Sequence, residues 1–237
     1  MLAGMTRILL AVAVLILSAA PAGAVDRRYA VTDFDRVVVE GPYIVRLSTG
    51  RSSAAVASGS QAALDRLSID VNGQTLRIRR NRSYWGGNPG AQEGPVTVEL
   101  VTRNLRSARL IGPATLDIEQ AEGLRVDLIV EGSGRLRASS VAADNLSIGL
   151  TGSGRLELAG TAETVNADVQ GTGDVDASAL RAENATITTT TTGTISLEVV
   201  RAANVSAFGL GTIEISGPGA CTRRGPNADL IRCASGP

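Results

Sequence analysis

The chain has 237 residues, enough for one or two domains with a sizeable core. Its 23 basic and 23 acidic residues cancel, so no net charge draws the whole molecule toward nucleic acid or anionic lipid. Every basic residue is Arg, and the lack of His removes the commonest metal ligand and the usual general base, which weighs against a catalytic centre.

Aromatic residues make up only 3% of the chain, while Gly reaches 27, so an aliphatic core in strands punctuated by turns is expected. Residues 1–24 read as a secretory signal peptide. Arg7 supplies the positive region, Ile8 to Ala20 the apolar stretch, and Pro21-Ala22-Gly23-Ala24 the small-residue cleavage site before Val25. The competing reading is an uncleaved anchor, but the apolar stretch is shorter than the roughly 20 residues of a bilayer span. No Cys follows the signal, so a lipoprotein is not expected. No later stretch is apolar enough to span. An exported protein is expected, periplasmic or at the cell surface, with no transmembrane segment in the mature chain.

Residues 25–105 promise less regular β turns and one cap. Phe34 to Leu47 reads as two strands around Gly41-Pro42, and Ala54 to Ser58 as a third. Gln61 to Leu67 suggests a single helical turn. Leu67 to Val71 and Thr75 to Arg79 alternate on either side of Asn72-Gly73, a hairpin signal. Arg80 to Gly94 reads as a loop, and Val96 to Leu100 restarts the strand pattern.

Residues 106–217 repeat one phrase. Gly132-Ser133-Gly134-Arg135-Leu136 returns as Gly152-Ser153-Gly154-Arg155-Leu156 and as Gly171-Thr172-Gly173-Asp174-Val175, with weaker copies at Gly112, Thr191 and Gly209. A steady period of about 20 residues with small turn residues marks a solenoid. Laid in register, the copies align apolar columns: Leu116, Leu136, Leu156, Val175, Ile195 and Ile213 after the turn, and Leu110, Val130, Leu150, Val169, Thr189 and Ala207 before it. Parallel stacking places like on like and builds a core that no single copy could bury. Outward columns carry mixed charge, placing Arg137 between Asp117 and Glu157, and Arg155 beside Asp174. A second bend is expected at Ala121-Glu122-Gly123, Ala143-Asp144-Asn145, Ala162-Glu163-Thr164, Ala182-Glu183-Asn184 and Ala202-Ala203-Asn204. Two bends and two or three short strands per turn predict an all-β, right-handed parallel β-helix. Residues 218–237 form a C-terminal tail in which Cys221 and Cys233, in an oxidising compartment, are expected to pair and close the end.

The repeated Gly-Ser-Gly phrase, the Val37-Val38-Val39-Glu40-Gly41 segment, Leu76-Arg77-Ile78, Val96-Thr97-Val98-Glu99-Leu100 and the export signal together resemble the GIN-domain family over about residues 31–217. Its members are described as heads of autotransporter adhesins. Two places depart from the pattern: Arg103-Asn104-Leu105 lacks an expected Pro, and the last two copies lose Gly-Ser-Gly. The resemblance implies a secreted β-helix and an adhesin-like role, and it brings no catalytic residues.

No cofactor and no metal ligand set is expected. Gly171 to Asp176 is similar to half of a calcium-binding β-roll repeat, yet the equivalent positions in other copies hold Arg135, Arg155 and Thr194. The Thr186 to Thr192 run is flanked by copies without matching Thr, so it reads as plain strand rather than an ice-binding face. Asp174 and Asp176, with Glu157 nearby, are the paired carboxylates that a polysaccharide-active enzyme would need, but neighbouring Arg137 and Arg155 point to low pKa values rather than a poised acid. The stretch with binding character is Arg77 to Gly90. Within it Arg80, Arg82, Tyr84 and Trp85 are the candidate ligand-binding residues, being the types that dominate hot spots and stack on sugars; the alternative is that the aromatic pair packs back on the solenoid. The expected role is a non-enzymatic, adhesin-like binding module whose partner is an envelope protein or a glycan. A polysaccharide-active enzyme and a purely structural envelope protein are the alternatives.

Overall fold

The computed structural model describes residues 25–81 and 94–234, so the signal-peptide reading of residues 1–24 falls outside it. The first half contains β1 (Val25–Tyr29), β2 (Arg36–Glu40), β3 (Tyr43–Thr49), β4 (Ala54–Gly59), a short helix α1 (Gln61–Asp65), β5 (Leu67–Asn72), β6 (Thr75–Arg80), β7 (Val96–Thr102), β8 (Ser107–Ile111) and β9 (Thr115–Ile118). Long strands follow: β10 (Ala121–Gly132), β11 (Arg135–Gly152), β12 (Arg155–Gly171), β13 (Asp174–Thr191) and β14 (Thr194–Ala207), then β15 (Thr212–Ser216), β16 (Ala220–Arg224) and β17 (Ile231–Cys233). All join one continuous sheet wound into a parallel solenoid.

The apolar columns stand as the repeat alignment requires. Leu136 is opposite Leu116 and Leu156, Leu156 opposite Val175, Val175 opposite Ile195, and Ile195 opposite Ile213. These residues are buried. Each fully buried Leu contributes about 2 kcal/mol of transfer free energy. Stacking turns a weak local alternation into one continuous core, because each coil covers the inward face of the next.

Each coil has three bends rather than the two expected. In β11 the inward residues are Leu136 and Ala138, then Val141 and Ala143, then Leu146, Ile148 and Leu150. Alternation slips at Ser139-Ser140 and again at Asp144-Asn145, where consecutive residues leave the core. The first slip is the unforeseen bend, and the β11–β12 register shifts there, between Ala138 and Val141. In β13 the bend is Ser178-Ala179, and in β12 it shortens to Ala159, with Gly160 standing opposite Val141 and Leu180. In Gly160, φ is +127°, and a Cβ there would lie 2.1 Å from the Val141 carbonyl oxygen. The second bend was anticipated, but its terminal copies are two residues out of register: Gly123, not Ala121, lies opposite Ala143, and Ala202 lies opposite Asn184. Coil β14 absorbs the difference through shifts after Ala177 and Ala182.

At the N-terminal end, layer order departs from chain order. β2 lies between β6 and β8, and β3 lies between β7 and β9, all parallel. After β1, the chain therefore enters the second parallel layer, lays down the first with β6 and β7, and returns to the third. Antiparallel strands finish that end: β5 on β6 through the Asn72-Gly73 hairpin, β4 on β7, and β1 on β4. Gly73 has φ +60°, as the expected hairpin turn requires. In α1, the Ser60 hydroxyl caps the N-terminus by accepting from the Ala63 N–H at 3.2 Å.

The other end is closed by the Cys221–Cys233 disulfide, which ties β16 to β17 across a sequence separation of 12. A loop of this size stabilises by about 3 kcal/mol on the chain-entropy model. Arg223 takes the place opposite inward Val205, and its guanidinium donates to the Ile231 carbonyl at 3.3 Å.

One core position is chemically mismatched. Thr189 is 2% exposed in the column of Val169 and Ala207, and its hydroxyl has no hydrogen-bond partner among the described residues. Valine has nearly the same shape without the desolvated hydroxyl. Thr189→Val should therefore raise stability by about 1 kcal/mol, seen as a higher urea midpoint at unchanged slope. Thr191 is different, although equally buried: its hydroxyl lies 3.2 Å from the Gly171 carbonyl and accepts from the Gly193 N–H at 3.0 Å. It replaces the first glycine of the corner by supplying hydrogen bonds in its place.

Candidate functional site

Where the layers change order, four elements leave a cavity of about 440 Å³ at the N-terminal end. The β2–β3 turn supplies one wall. Gly41 has φ +114°, and the Tyr43 N–H donates back to the Gly41 carbonyl at 2.9 Å, which folds the Tyr43 ring against the turn. Arg66 enters from the C-cap of α1, and the Asn81 N–H donates to its carbonyl at 2.7 Å, tying the helix end to the exit of β6. Arg79 and Arg80 come from the end of β6, and Gly94-Pro95-Val96 lead into β7 on the opposite side.

The pocket thus combines Arg66, Arg79 and Arg80 with an apolar floor of Pro42, Tyr43, Pro95 and Val96, and with Glu40 as its acidic group. Arg79 also contacts Asp70 across the hairpin at 3.4 Å. Burial pushes the Tyr43 phenol above its ordinary pKa, Arg80 pulls the other way, and Tyr29 and Glu40 add to the rise. The phenol stays protonated at neutral pH. The arrangement suits a ligand that pairs an anionic group with an apolar or sugar-like face.

Of the candidate ligand-binding residues, Arg80 is brought to this pocket, whereas Arg82, Tyr84 and Trp85 lie outside the described residues. Sequence reasoning missed Arg66 and the Gly41-Pro42-Tyr43 wall, because no local pattern reveals that β2, α1 and β6 meet. It also missed a second feature, an open groove of about 790 Å³ along the coils that is lined by Glu122, Asp144, Glu163 and Glu183. The signal was present in each copy as an acid after Ala143, Ala162 and Ala182, residues that stand opposite one another. Arg201 meets Glu183 at 3.4 Å near one end of this acidic column.

The paired carboxylates, Asp174 and Asp176, are committed to the architecture. Asp174 accepts from the Thr194 N–H at 2.9 Å and from Arg155 at 3.0 Å. Asp176 accepts from the Ser178 hydroxyl at 2.6 Å, the Ser178 N–H at 3.2 Å and the Ser196 hydroxyl at 3.1 Å. The Thr194 backbone bond, then Arg155, hold Asp174 below the ordinary carboxylate range; the two Ser178 bonds, then Ser196, do so for Asp176. Their register with Arg155 and Glu157 is the expected one, as is that of Arg137 with Asp117 and Glu157, although Arg137 closes no ion pair. Depressed folded pKa values contribute stability that is whole above the ordinary aspartate range and drains away as pH falls through the lower folded values. Wild-type protein should therefore lose stability on acidification, and an Asp174→Asn, Asp176→Asn variant should show a shallower decline in urea unfolding between pH 7 and pH 3.

Among the described residues, no three His, Cys, Asp or Glu are grouped to hold a metal ion, and no helix is long and apolar enough to cross a membrane. A capped parallel β-solenoid with a cationic pocket at its irregular end is the class of protein that these features define. The chain belongs to the family described as "Putative auto-transporter adhesin, head GIN domain", whose model matches residues 33–219. Solved structures share the fold. A "putative adhesin" of Bacteroides fragilis superposes with a TM-score of 0.75 at 17% identity, covering 90% of this chain and 97% of that one. Two proteins of Parabacteroides distasonis, each covering 90% of this chain and 95% of their own, are a "putative adhesin" with a TM-score of 0.66 at 18% identity and a "putative lipid binding protein" with 0.65 at 19%. A sequence search of the curated proteins found no match.

Proposed function

We propose that this protein is an exported, non-enzymatic β-solenoid that acts as an adhesin-like binding module of the cell envelope or surface, and that it engages its partner through the N-terminal pocket. Family membership supports the adhesin-like role. The observation that carries the site is that Arg66, Arg79 and Arg80 line one pocket with Tyr43, where layer order departs from chain order. Asp174 and Asp176, which accept hydrogen bonds from neighbouring coil residues and have lowered pKa values, support a reading without acid–base catalysis. A glycan or an envelope protein offering carboxylates is the matching partner.

The test is a glycan array run beside a pull-down from envelope extract, with wild type and an Arg79→Ala, Arg80→Ala variant. Wild type should retain an acidic glycan or a defined protein, and the variant should bind it at least ten-fold more weakly. Empty results in both formats, or equal binding by the variant, would overturn the proposal.

A further inference from the structure

At the corner after each long strand, two outward positions recur. The first reads Glu131, Thr151, Gln170, Thr190 and then Phe208; the second reads Ser133, Ser153, Thr172, Thr192 and then Leu210. A polar ridge thus turns apolar in its last copy, where Phe208 is 54% and Leu210 71% exposed. The intervening glycines fix this orientation. A Cβ on Gly209 would lie 2.1 Å from the Thr191 carbonyl oxygen, and one on Gly211 would lie 2.2 Å from that of Gly193. The glycines press against the preceding corner, so the side chains between and before them stand away from it.

Four backbone groups of this corner are already engaged. The Phe208 N–H donates to Thr189 and the Gly211 N–H to Thr191, both at 2.8 Å. The Asn227 amide donates to the Phe208 carbonyl at 3.3 Å and to the Gly209 carbonyl at 3.0 Å. Entry into a medium of low polarity would bury two apolar side chains without stranding these peptide groups, which is the usual obstacle to placing irregular backbone there. Cationic charge lies alongside. Exposed Arg224 stands in register with Ser206, two residues before Phe208, and the segment from Gly217 to Ala234 holds three arginines against the single acid Asp229.

We propose that this corner is a contact site for an anionic phospholipid surface, with Phe208 and Leu210 entering the bilayer interface and Arg224 meeting headgroup phosphates. Two side chains on an outer corner offer far less than the roughly 800 Å² per partner that a stable protein interface buries, whereas a bilayer interface moulds around such a protrusion. The site lies at the opposite end of the solenoid from the N-terminal pocket, so the rod would rest on lipid by one end and present the other.

The experiment is vesicle co-sedimentation of the protein recovered after export, with its N-terminus determined. Vesicles of phosphatidylcholine alone are compared with vesicles containing phosphatidylglycerol. Wild type should bind the anionic vesicles. Phe208→Thr with Leu210→Ser, which restores the residue types of the neighbouring copies, should lower partitioning at least ten-fold at an unchanged melting temperature. Arg224→Gln should lower it several-fold and weaken the preference for phosphatidylglycerol. No vesicle binding by wild type, or equal binding by the double variant, overturns the proposal. So does a Phe208 dependence that appears only as self-association or as capture of a protein without lipid. Loss of glycan or envelope-protein binding at the N-terminal pocket leaves this result unaffected, so the two proposals fail separately.

Discussion

Gly171→Ala should destabilise the protein by about 4 kcal/mol, near the top of the range for a single substitution. Two costs add at this corner. The residue has φ +113°, which an alanine adopts only with strain of about 1–3 kcal/mol. In addition, a Cβ would lie 2.4 Å from the Gly152 carbonyl oxygen, an atom of the neighbouring corner. That oxygen accepts from the Thr172 N–H at 2.8 Å and the Gly173 N–H at 3.0 Å, so moving it breaks the bonds that hold the two corners together. Gly50 separates the two costs: its φ is +89°, but nothing lies within 4 Å of its Cβ position. Gly50→Ala should lose only the conformational part, about 1–2 kcal/mol. Urea unfolding of both variants checks this, and equal losses would show that corner-to-corner packing is not what the glycine serves.

Leu136→Ala should cost about 3 kcal/mol by a different route. Leu136 is fully buried between Leu116 and Leu156, themselves fully buried. The void cannot close readily, because backbone hydrogen bonds fix neighbouring coils about 4.8 Å apart and the column cannot slump inward. Both coil interfaces are weakened at once, and in a stack whose stability is a sum over neighbours this falls in the middle of the rod. Chemical denaturation should show the loss, and hydrogen exchange should show it centred on β9, β11 and β12. A variant that unfolds at the wild-type midpoint would rule out a continuous core column.

The columns around Leu136 and Val130 were legible in the sequence because alternation and a steady period report burial directly. The glycine corners were legible for the same reason. The bend at Ser139-Ser140 was not, since its counterparts Ala159 and Ser178-Ala179 share smallness rather than any turn-forming residue, and only a slip in alternation marks it. The layer exchange of β2 and β3 with β6 and β7 left no trace, because Val37-Val39 and Leu76-Ile78 suit any layer equally well. That exchange is what assembles the pocket. Arg80 could be chosen by residue type, but Arg66 and Tyr43 join it only through long-range pairing. The acidic groove was hidden by being regular: Asp144, Glu163 and Glu183 look like ordinary outward residues until the coils are stacked.

The crossed layer order at the N-terminal end also governs how the rod can come apart. A simple solenoid frays coil by coil, because its outermost turn is joined to the rest by one interface and a short connection. Here the outermost turn, β6 and β7, is threaded between chain segments that belong deeper in the stack, so peeling it off also tugs on β2, β3 and β8. That end behaves as a latch, locked by contacts between residues far apart in sequence. Such a latch closes slowly during folding, since β2 and β3 must wait for partners that lie much later in the chain. Once shut, it releases only as a unit.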